Sequence, residues 1–419
     1  MTTSPTEFRD AYDEAPARPA PAAHRAAAHD PAGRSPLVRW LSVLTLGLGV
    51  FAIVTSELLP VGLLPPIAKD VGVSNGVAGL TVTLYGAVAA LTAVPLTALF
   101  SRIDRRWLIT VLMAVLVAGN IVTALAPNYP VLIAARILMG FGHGVFWSTV
   151  PGTTVRLVPE KDGVKATAVV LSGISIASVL GVPLGTFLGQ QTHWQVAFFA
   201  MAGLGALVLL GALTLLPSLP PQGRADLAAL RGLLRHAPFM TALLVTSLTM
   251  IGHYLAFTYI APYLEQETGL NSDLISVLLL VFGVAGVIGN FVAGATVARS
   301  LRKSLLTAIG AMTLALVVFS LLKDSEFVAY PVLIVWGLAY AALPLCLQTW
   351  VMQSAGDATD AASSMYITSF NASIALGSLF GGLTVDHIGL GSVTWIAAAL
   401  AAAALVAAAL GRQSTSSGS

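Results

Sequence analysis

The chain has 419 residues, of which 56% are hydrophobic and 10% charged, with a net charge of +2. Soluble domains carry about 25% charged residues, so a water-soluble fold of this size could not cover its surface. The apolar residues come in blocks of about 18–25, long enough to cross a hydrocarbon layer as helices, without the alternation of β-barrel strands. Because Cys346 is the only cysteine, a disulfide within the chain and a Cys-based metal site are excluded.

The first half of the sequence predicts six membrane spans after an N-terminal tail. Residues 1–38 are rich in Ala and Pro with balanced charges, which indicates a disordered tail rather than a cleaved signal. The spans of this half, which we place in one bundle over 39–216, are approximately Leu41–Leu64, Val77–Phe100, Trp107–Leu125, Val131–Val150, Ala166–Leu188 and Val196–Leu216.

The second half repeats this plan after a polar linker at 217–238. Its spans, in a bundle over 239–411, are approximately Phe239–Tyr263, Leu274–Ala298, Leu305–Leu322, Val328–Val351, Ala361–Leu383 and Val393–Leu410. The same five residues open the fourth and the tenth span, at Tyr129–Ile133 and Tyr330–Ile334. We therefore predict an all-α membrane protein with twelve transmembrane helices in two pseudo-symmetric six-helix bundles and a short tail at 412–419.

The loops alternate in basic charge, which predicts the orientation of the chain in the membrane. Loops on the side of the N-terminal tail hold Arg102, Arg105, Arg106, Arg156, Lys161, Lys165, Arg224, Arg231, Arg235, Arg299, Arg302 and Lys303. The opposite loops hold only Lys69 and Lys323. Because basic residues favour the cytoplasmic side, we expect a multi-pass protein of the cell membrane with the linker and both tails in the cytoplasm.

Two charged residues lie deep within predicted spans. Glu57 is the only deep acidic residue and Arg136 the only deep basic one, and they lie at similar depth. Charges at membrane depth are costly and normally face a cavity or a partner. We expect Glu57 to take and release a coupling proton while Arg136 stabilises its charged form, since burial disfavours a carboxylate and a nearby guanidinium favours it. The alternative is a static ion pair that only positions two helices.

Histidines and aromatic residues are candidates for lining a substrate cavity. His143 lies seven residues after Arg136, on the same face of the fourth span, and His253 lies in the middle of the seventh. The other candidates for an apolar pocket with a few polar groups are Phe146, Trp147, Tyr254, Trp336 and Tyr340. Each of these residues could instead pack against a neighbouring helix or lipid.

The fifth span carries small residues around a proline. They are Gly181, Pro183, Gly185 and Gly189. Glycines four residues apart allow close helix approach in a bilayer, and a proline frees a carbonyl and permits bending. A hinge and a close-packed seam both remain open. The sequence contains no phosphate-binding loop and no metal-ligand spacing, so we expect neither ATP nor a metal cofactor.

Several of these segments resemble the major facilitator superfamily over about residues 40–410, specifically its proton antiporter branch of drug exporters and predicted arabinose-type sugar efflux permeases. Thr55–Leu64 is similar to the acidic first-helix motif of that branch, and Arg136 with Gly140 and Gly144 resembles the fourth-helix Arg-Gly motif. The fifth-span glycines and proline resemble the antiporter motif, and His143–Ser148 resembles a stretch of sugar efflux transporters. The resemblance implies export, with proton coupling at Glu57 and Arg136.

The gating motif that this resemblance implies is degenerate. In the first half Arg102, Arg105 and Arg106 match, whereas Asp104 stands where the family has a glycine. In the second half Arg299, Arg302 and Lys303 match. The resemblance implies a cytoplasmic gate at these residues, either weakened or rebuilt around Asp104.

The expected function is proton-driven efflux of a small sugar or drug by alternating access, with no enzymatic activity. The expected partners are the solute, protons and the lipid bilayer, with no nucleic acid, no cofactor other than the proton gradient, and a monomeric state. Export of nucleosides or other metabolites and uncoupled facilitation are the alternatives. A membrane enzyme is disfavoured because the polar residues are scattered.

Overall fold

The computed structural model describes residues 34–220, 232–356 and 358–411, and the regular structure of these ranges is helical. The long helices are α1 (Pro36–Val71), α2 (Leu80–Leu99), α3 (Arg105–Ala124), α4 (Tyr129–Thr154), α5 (Gly163–Ile176 and Val182–Gln191, joined by a π-helical turn at Ala177–Gly181), α6 (Trp194–Leu215), α7 (Ala237–Phe257), α8 (Ser272–Val297), α9 (Leu301–Leu321), α10 (Glu326–Gln353), α11 (Thr359–His387) and α12 (Ser392–Leu410). The predicted twelve-helix membrane fold is confirmed. Of the predicted tail at 1–38 and the predicted linker at 217–238, residues 1–33 and 221–231 lie outside the described residues, as does the predicted tail at 412–419. The first helix begins at Pro36, inside the predicted tail.

One of the twelve helices is more polar than the others. Eleven helices in the described ranges are long and apolar enough to cross a membrane. The twelfth, α11, has 29 residues but buries polar side chains such as Asn371, Ser373 and Ser378. It packs between α2 and α7, so its polar face lies inside the protein, while Phe380 and Leu383 face outward.

Helix α1 is longer than its apolar core predicts, because both of its ends are capped. The Ser35 side chain accepts a hydrogen bond from the Val38 N–H, and Pro36 occupies the first turn. The helix ends at Gly72, which has a φ of 71° that favours glycine. Inside α1 lie Pro60, Pro65 and Pro66.

The glycines of α5 form a seam with α1. A Cβ on Gly185 would lie 2.6 Å from Leu59, and one on Gly189 would lie 2.8 Å from Leu63. A Cβ on Gly181 would likewise overlap the Thr55 side chain. Helix α5 also contains the π-helical turn directly before Val182 and Pro183, a rare irregularity within an α-helix. The structure thus places these residues at a close helix contact.

The two halves of the molecule share a core on one side only. We call the surface that carries residues 216–220 and 232–236 the linker face and the opposite surface the far face. Val61, Leu64 and Val82 of the first half belong to the apolar core of the second half, and all three lie towards the far face. The linker-face end of the first half has a separate core around Val50 and Phe146.

Hydrogen bonds join the two halves at the far face. The Asp386 carboxylate accepts a hydrogen bond from the Ser74 hydroxyl at 2.7 Å and from the Gly76 N–H at 3.2 Å. The Tyr259 hydroxyl reaches the Gly76 carbonyl at 3.4 Å, and the Ser276 hydroxyl donates to Gln190 at 2.7 Å. These bonds hold the far face closed in this conformation.

Candidate functional site

Glu57 lies on α1 in the interior of the protein, with only 6% of its surface exposed. Its Oε1 atom is buried without a hydrogen-bond partner, and its Oε2 atom lies 3.9 Å from the His143 Nδ1 atom. Among the described residues, no Lys or Arg nitrogen lies within 4.0 Å of this carboxylate. The carboxyl group is therefore enclosed in protein without a direct ion pair.

Arg136 of α4 is fully buried beside Glu57, but its guanidinium binds backbone rather than the carboxylate. Its Nη1 atom donates to the Ser56 carbonyl at 2.8 Å, and its Nη2 atom donates to the Glu57 carbonyl at 3.0 Å. The Nε atom donates to the Thr81 carbonyl of α2 at 3.1 Å. Arg136 thus ties three helices together while its charge stays close to Glu57.

Tyr85 of α2 completes this cluster, and sequence reasoning missed it. Its ring lies under the Arg136 guanidinium at 4.5 Å, and its hydroxyl lies 3.0 Å from the His143 Nδ1 atom. Tyr85 can approach so closely because Gly140 and Gly144 of α4 face the α2 backbone, where an added Cβ would lie 2.6 Å from a carbonyl oxygen. In the sequence, the only signal for this role is that Tyr85 is the single aromatic residue in the interior of an apolar span, four positions after Thr81.

The second half contains an aromatic cluster around His253 of α7. The Trp336 Nε1–H donates to the His253 Nδ1 atom at 3.1 Å, and the Tyr340 ring stacks on the imidazole at 3.6 Å. The Tyr254 and Tyr340 hydroxyls are 2.9 Å apart. His253 and Trp336 are fully buried, so they form packed core in this conformation, whereas Tyr340 is partly exposed.

The two clusters face each other across the interior. Leu58, the residue after Glu57, packs against the cores of both halves. Trp147 is half-buried beside His143, with ring centroids 6.2 Å apart, whereas Phe146 is fully buried in the first-half core.

At the linker face, Asp104 anchors its own half instead of joining the two. It caps α3 by accepting from the Arg106 N–H at 2.8 Å and accepts from the Ser218 hydroxyl at 2.6 Å. Arg106 binds the Leu213 carbonyl, and the corresponding Arg302 binds the Ala409 carbonyl at 2.6 Å.

These basic side chains form no charged latch between the described parts of the two halves. In the described ranges, no ion pair joins the predicted gate residues, including Arg102, Arg105, Arg299 and Lys303, to a carboxylate. Burial, with a contribution from Arg105, lowers the pKa of Arg156 in the next loop on this face, and Asp104 offsets part of that effect. Within the same ranges, no group of three His, Cys, Asp or Glu side chains could hold a metal ion.

Comparisons with known proteins agree with this architecture. A sequence profile of the Major Facilitator Superfamily matches residues 46–366. A Helicobacter pylori (strain G27) protein named "Probable sugar efflux transporter" is 33% identical over 365 residues, covering 87% of this chain and 93% of that relative. A protein of the same name from strain ATCC 700392 / 26695 matches to the same extent.

Solved structures show the same fold at low identity. A bacterial homolog to the human lysosomal transporter Spinster, inward-facing and unoccupied, has a TM-score of 0.70 at 16% identity, covering 90% of this chain and 96% of that one. The nucleoside transporter NupG has a TM-score of 0.75 at 13% identity, covering 89% of this chain and 99% of that one. At these identities the likeness concerns the fold alone.

Proposed function

Because this chain belongs to the Major Facilitator Superfamily, we propose that it exports a small neutral solute, specifically a sugar, in exchange for protons. The observation that carries this proposal is the enclosed Glu57 carboxyl group, which has an unpartnered Oε1 atom beside the Arg136 guanidinium. An isolated charge at this depth is costly, whereas the protonated acid is not. Arg136 lies close enough to compensate the carboxylate after proton release.

The proton exchange is coupled to transport through the rearrangement of these two side chains. In this conformation the guanidinium is held by the carbonyls of Ser56, Glu57 and Thr81, and no Lys or Arg in the described part of the chain pairs with the carboxyl group. Loss of the proton creates a charge that attracts Arg136, which loosens its links to α1 and α2. A change in these links favours one helix arrangement over the other.

Alternating access fits the contacts between the halves. They meet at the far face through Ser74, Asp386 and Tyr259, which supports a solute path that opens at the linker face here. In our proposal the linker face and both termini are cytoplasmic, the protein lies in the cell membrane as a monomer, and proton entry drives solute exit. The basic residues around Asp104 stabilise the linker-face loops. Helices α1 and α5, which pack closely at their seam, move together as one unit during transport.

A sugar is the substrate that the available groups favour. The relatives at 33% identity carry the name sugar efflux transporter. Tyr85, His143, Tyr254 and Tyr340 offer hydroxyl and imidazole groups to sugar hydroxyls, and Trp147 offers an aromatic face. Arg136 is occupied by backbone carbonyls, so the site does not favour an anionic solute.

Transport by purified protein in liposomes tests this proposal. We expect an imposed proton gradient to drive uptake of a radiolabelled sugar, and Glu57→Gln to abolish the gradient dependence. Glu265→Gln, which changes an exposed carboxylate near the far face, is the matched control and should transport normally. Equal transport by the wild-type protein with and without the gradient would indicate a facilitator, and gradient-driven transport that survives in Glu57→Gln would remove Glu57 from the coupling. A panel with nucleosides and antibiotics in place of sugars identifies any other substrate class.

A further inference from the structure

The carbonyl oxygen that holds Arg136 most closely is one that α1 leaves free. In an α-helix, the N–H of each residue bonds the carbonyl four positions earlier, so residue 60 would normally bond the Ser56 carbonyl. Residue 60 is proline, which has no N–H. The Ser56 carbonyl therefore lacks its helical donor, and the Arg136 Nη1 atom takes its place.

The other two carbonyls that Arg136 contacts differ from that of Ser56 in this respect. The distance is 2.8 Å to Ser56, whose helical donor is missing, and 3.0 Å to Glu57 and 3.1 Å to Thr81. The residues four positions after the last two, Val61 and Tyr85, retain their N–H groups. A buried carbonyl without any donor is costly, so the pairing of Ser56 with Arg136 satisfies both groups.

We propose that Pro60 is a positioning residue for proton exchange: it supplies the free Ser56 carbonyl on which Arg136 rests while the Glu57 carboxyl group is protonated. After deprotonation, the guanidinium exchanges this carbonyl for the Glu57 carboxylate. Because the consequence for transport concerns the same site, it rests on the proposed function, whereas the geometric role of Pro60 does not.

The charges around Glu57 set the expected direction of a pH effect. The ionisable groups on the helices around this site are Tyr85 of α2, Arg136 and His143 of α4, Tyr254 of α7 and Tyr340 of α10. In Pro60→Ala, the new N–H competes for the Ser56 carbonyl, so Arg136 spends more time on the Glu57 carboxylate. The charged form gains stability, and proton uptake then needs a higher proton concentration.

The test compares Pro60→Ala with Pro65→Ala, a substitution in the same helix whose freed carbonyl belongs to Val61 rather than to Ser56. We expect the pH of half-maximal sugar transport to move down by about one unit, tenfold in proton concentration, in Pro60→Ala only. A variant that carries the α-hydroxy analogue of alanine at position 60, an ester without an N–H, should restore the original profile. Equal profiles for Pro60→Ala and wild type, an equal shift in Pro65→Ala, or no restoration by the ester would overturn the proposal.

A structure of Pro60→Ala decides the geometry without reference to transport. We expect the Arg136 Nη1 atom to leave the Ser56 carbonyl and to lie within ion-pair distance of the Glu57 carboxylate. An Nη1 atom that remains on the Ser56 carbonyl would refute the role of Pro60. If wild-type transport proves independent of the proton gradient, the proposed function fails. The structure of Pro60→Ala still decides whether Pro60 frees the Ser56 carbonyl for Arg136.

Discussion

Replacing Gly79 with alanine should open the far face without touching the Glu57 cluster. A Cβ at position 79 would overlap the Tyr259 hydroxyl and lie 2.6 Å from its Cζ atom. The Tyr259 ring cannot move aside, because it already packs tightly against Gly381 and Gly382. A Cβ on either glycine would lie 2.6 Å from an atom of Tyr259. Tyr259 is fully buried, and its hydroxyl also donates to the Ser378 carbonyl at 2.8 Å.

The size of the effect follows from the cost of overpacking. An extra methyl group in a well-packed site costs about 1–3 kcal/mol. Here the cost falls only on the conformation in which the halves meet, since Tyr259 and Gly79 belong to opposite halves. A difference of this size changes the ratio of the two conformations by about 5- to 150-fold.

Labelling of a cysteine at position 276 measures the opening. Ser276 is 4% exposed and lies at another contact of the far face, so the Ser276→Cys thiol should react slowly while that face is closed. The single native cysteine, Cys346, is buried and should give little background. We expect Gly79→Ala to raise the rate of labelling by a membrane-impermeant maleimide. Gly294→Ala, whose Cβ would meet open space, is the control, and equal rates in the two variants would refute the reasoning.

Three further substitutions probe individual contacts. Arg136→Lys removes the planar donor set that reaches three carbonyls, so we expect a lower melting temperature together with loss of proton-driven transport, while retention of both would contradict the assigned contacts. Asp386→Asn replaces a charged acceptor of the far-face contacts, and labelling at position 276 should become faster. Trp336→Phe removes the donor to His253 and should lower the free energy of unfolding by about 1 kcal/mol more than Trp350→Phe, because the buried Trp350 Nε1–H has no partner among the described residues. Equal losses in chemical denaturation of the two tryptophan variants would contradict this assignment.

The sequence was sufficient for the helices and for the depth of the central charges. Apolar runs locate all twelve spans, because the length of a membrane helix is set by the bilayer rather than by its neighbours. Counting residues from the span ends places Glu57 and Arg136 at similar depth, and the structure brings them together. Helix α11 is the weakest span by apolarity, because its polar side chains face the protein interior.

The contacts of these charges could not be read from the sequence. Arg136 and Glu57 suggest an ion pair by type, yet the guanidinium binds backbone carbonyls, whose availability depends on the register of three helices. Tyr85 has no charge to mark it, and its role follows from its position under the guanidinium. His253 and Trp336, expected at a cavity wall, bond each other within the core, because stacked aromatic rings leave them no access to solvent.

The arrangement at Ser56 explains how a buried arginine can remain in the membrane interior without neutralising the carboxyl group beside it. An arginine whose only partner was the Glu57 carboxylate would form a stable ion pair, and protonation would then leave its charge buried and unpaired. Three backbone acceptors provide partners that do not titrate, so Arg136 is satisfied whether or not Glu57 carries a proton. The free-energy difference between the two protonation states then depends mainly on Glu57 itself and on which oxygen atom one nitrogen of the Arg136 guanidinium binds. In our proposal, a proton taken up at Glu57 therefore changes how α4 is bound to α1 without leaving a buried charge unpaired.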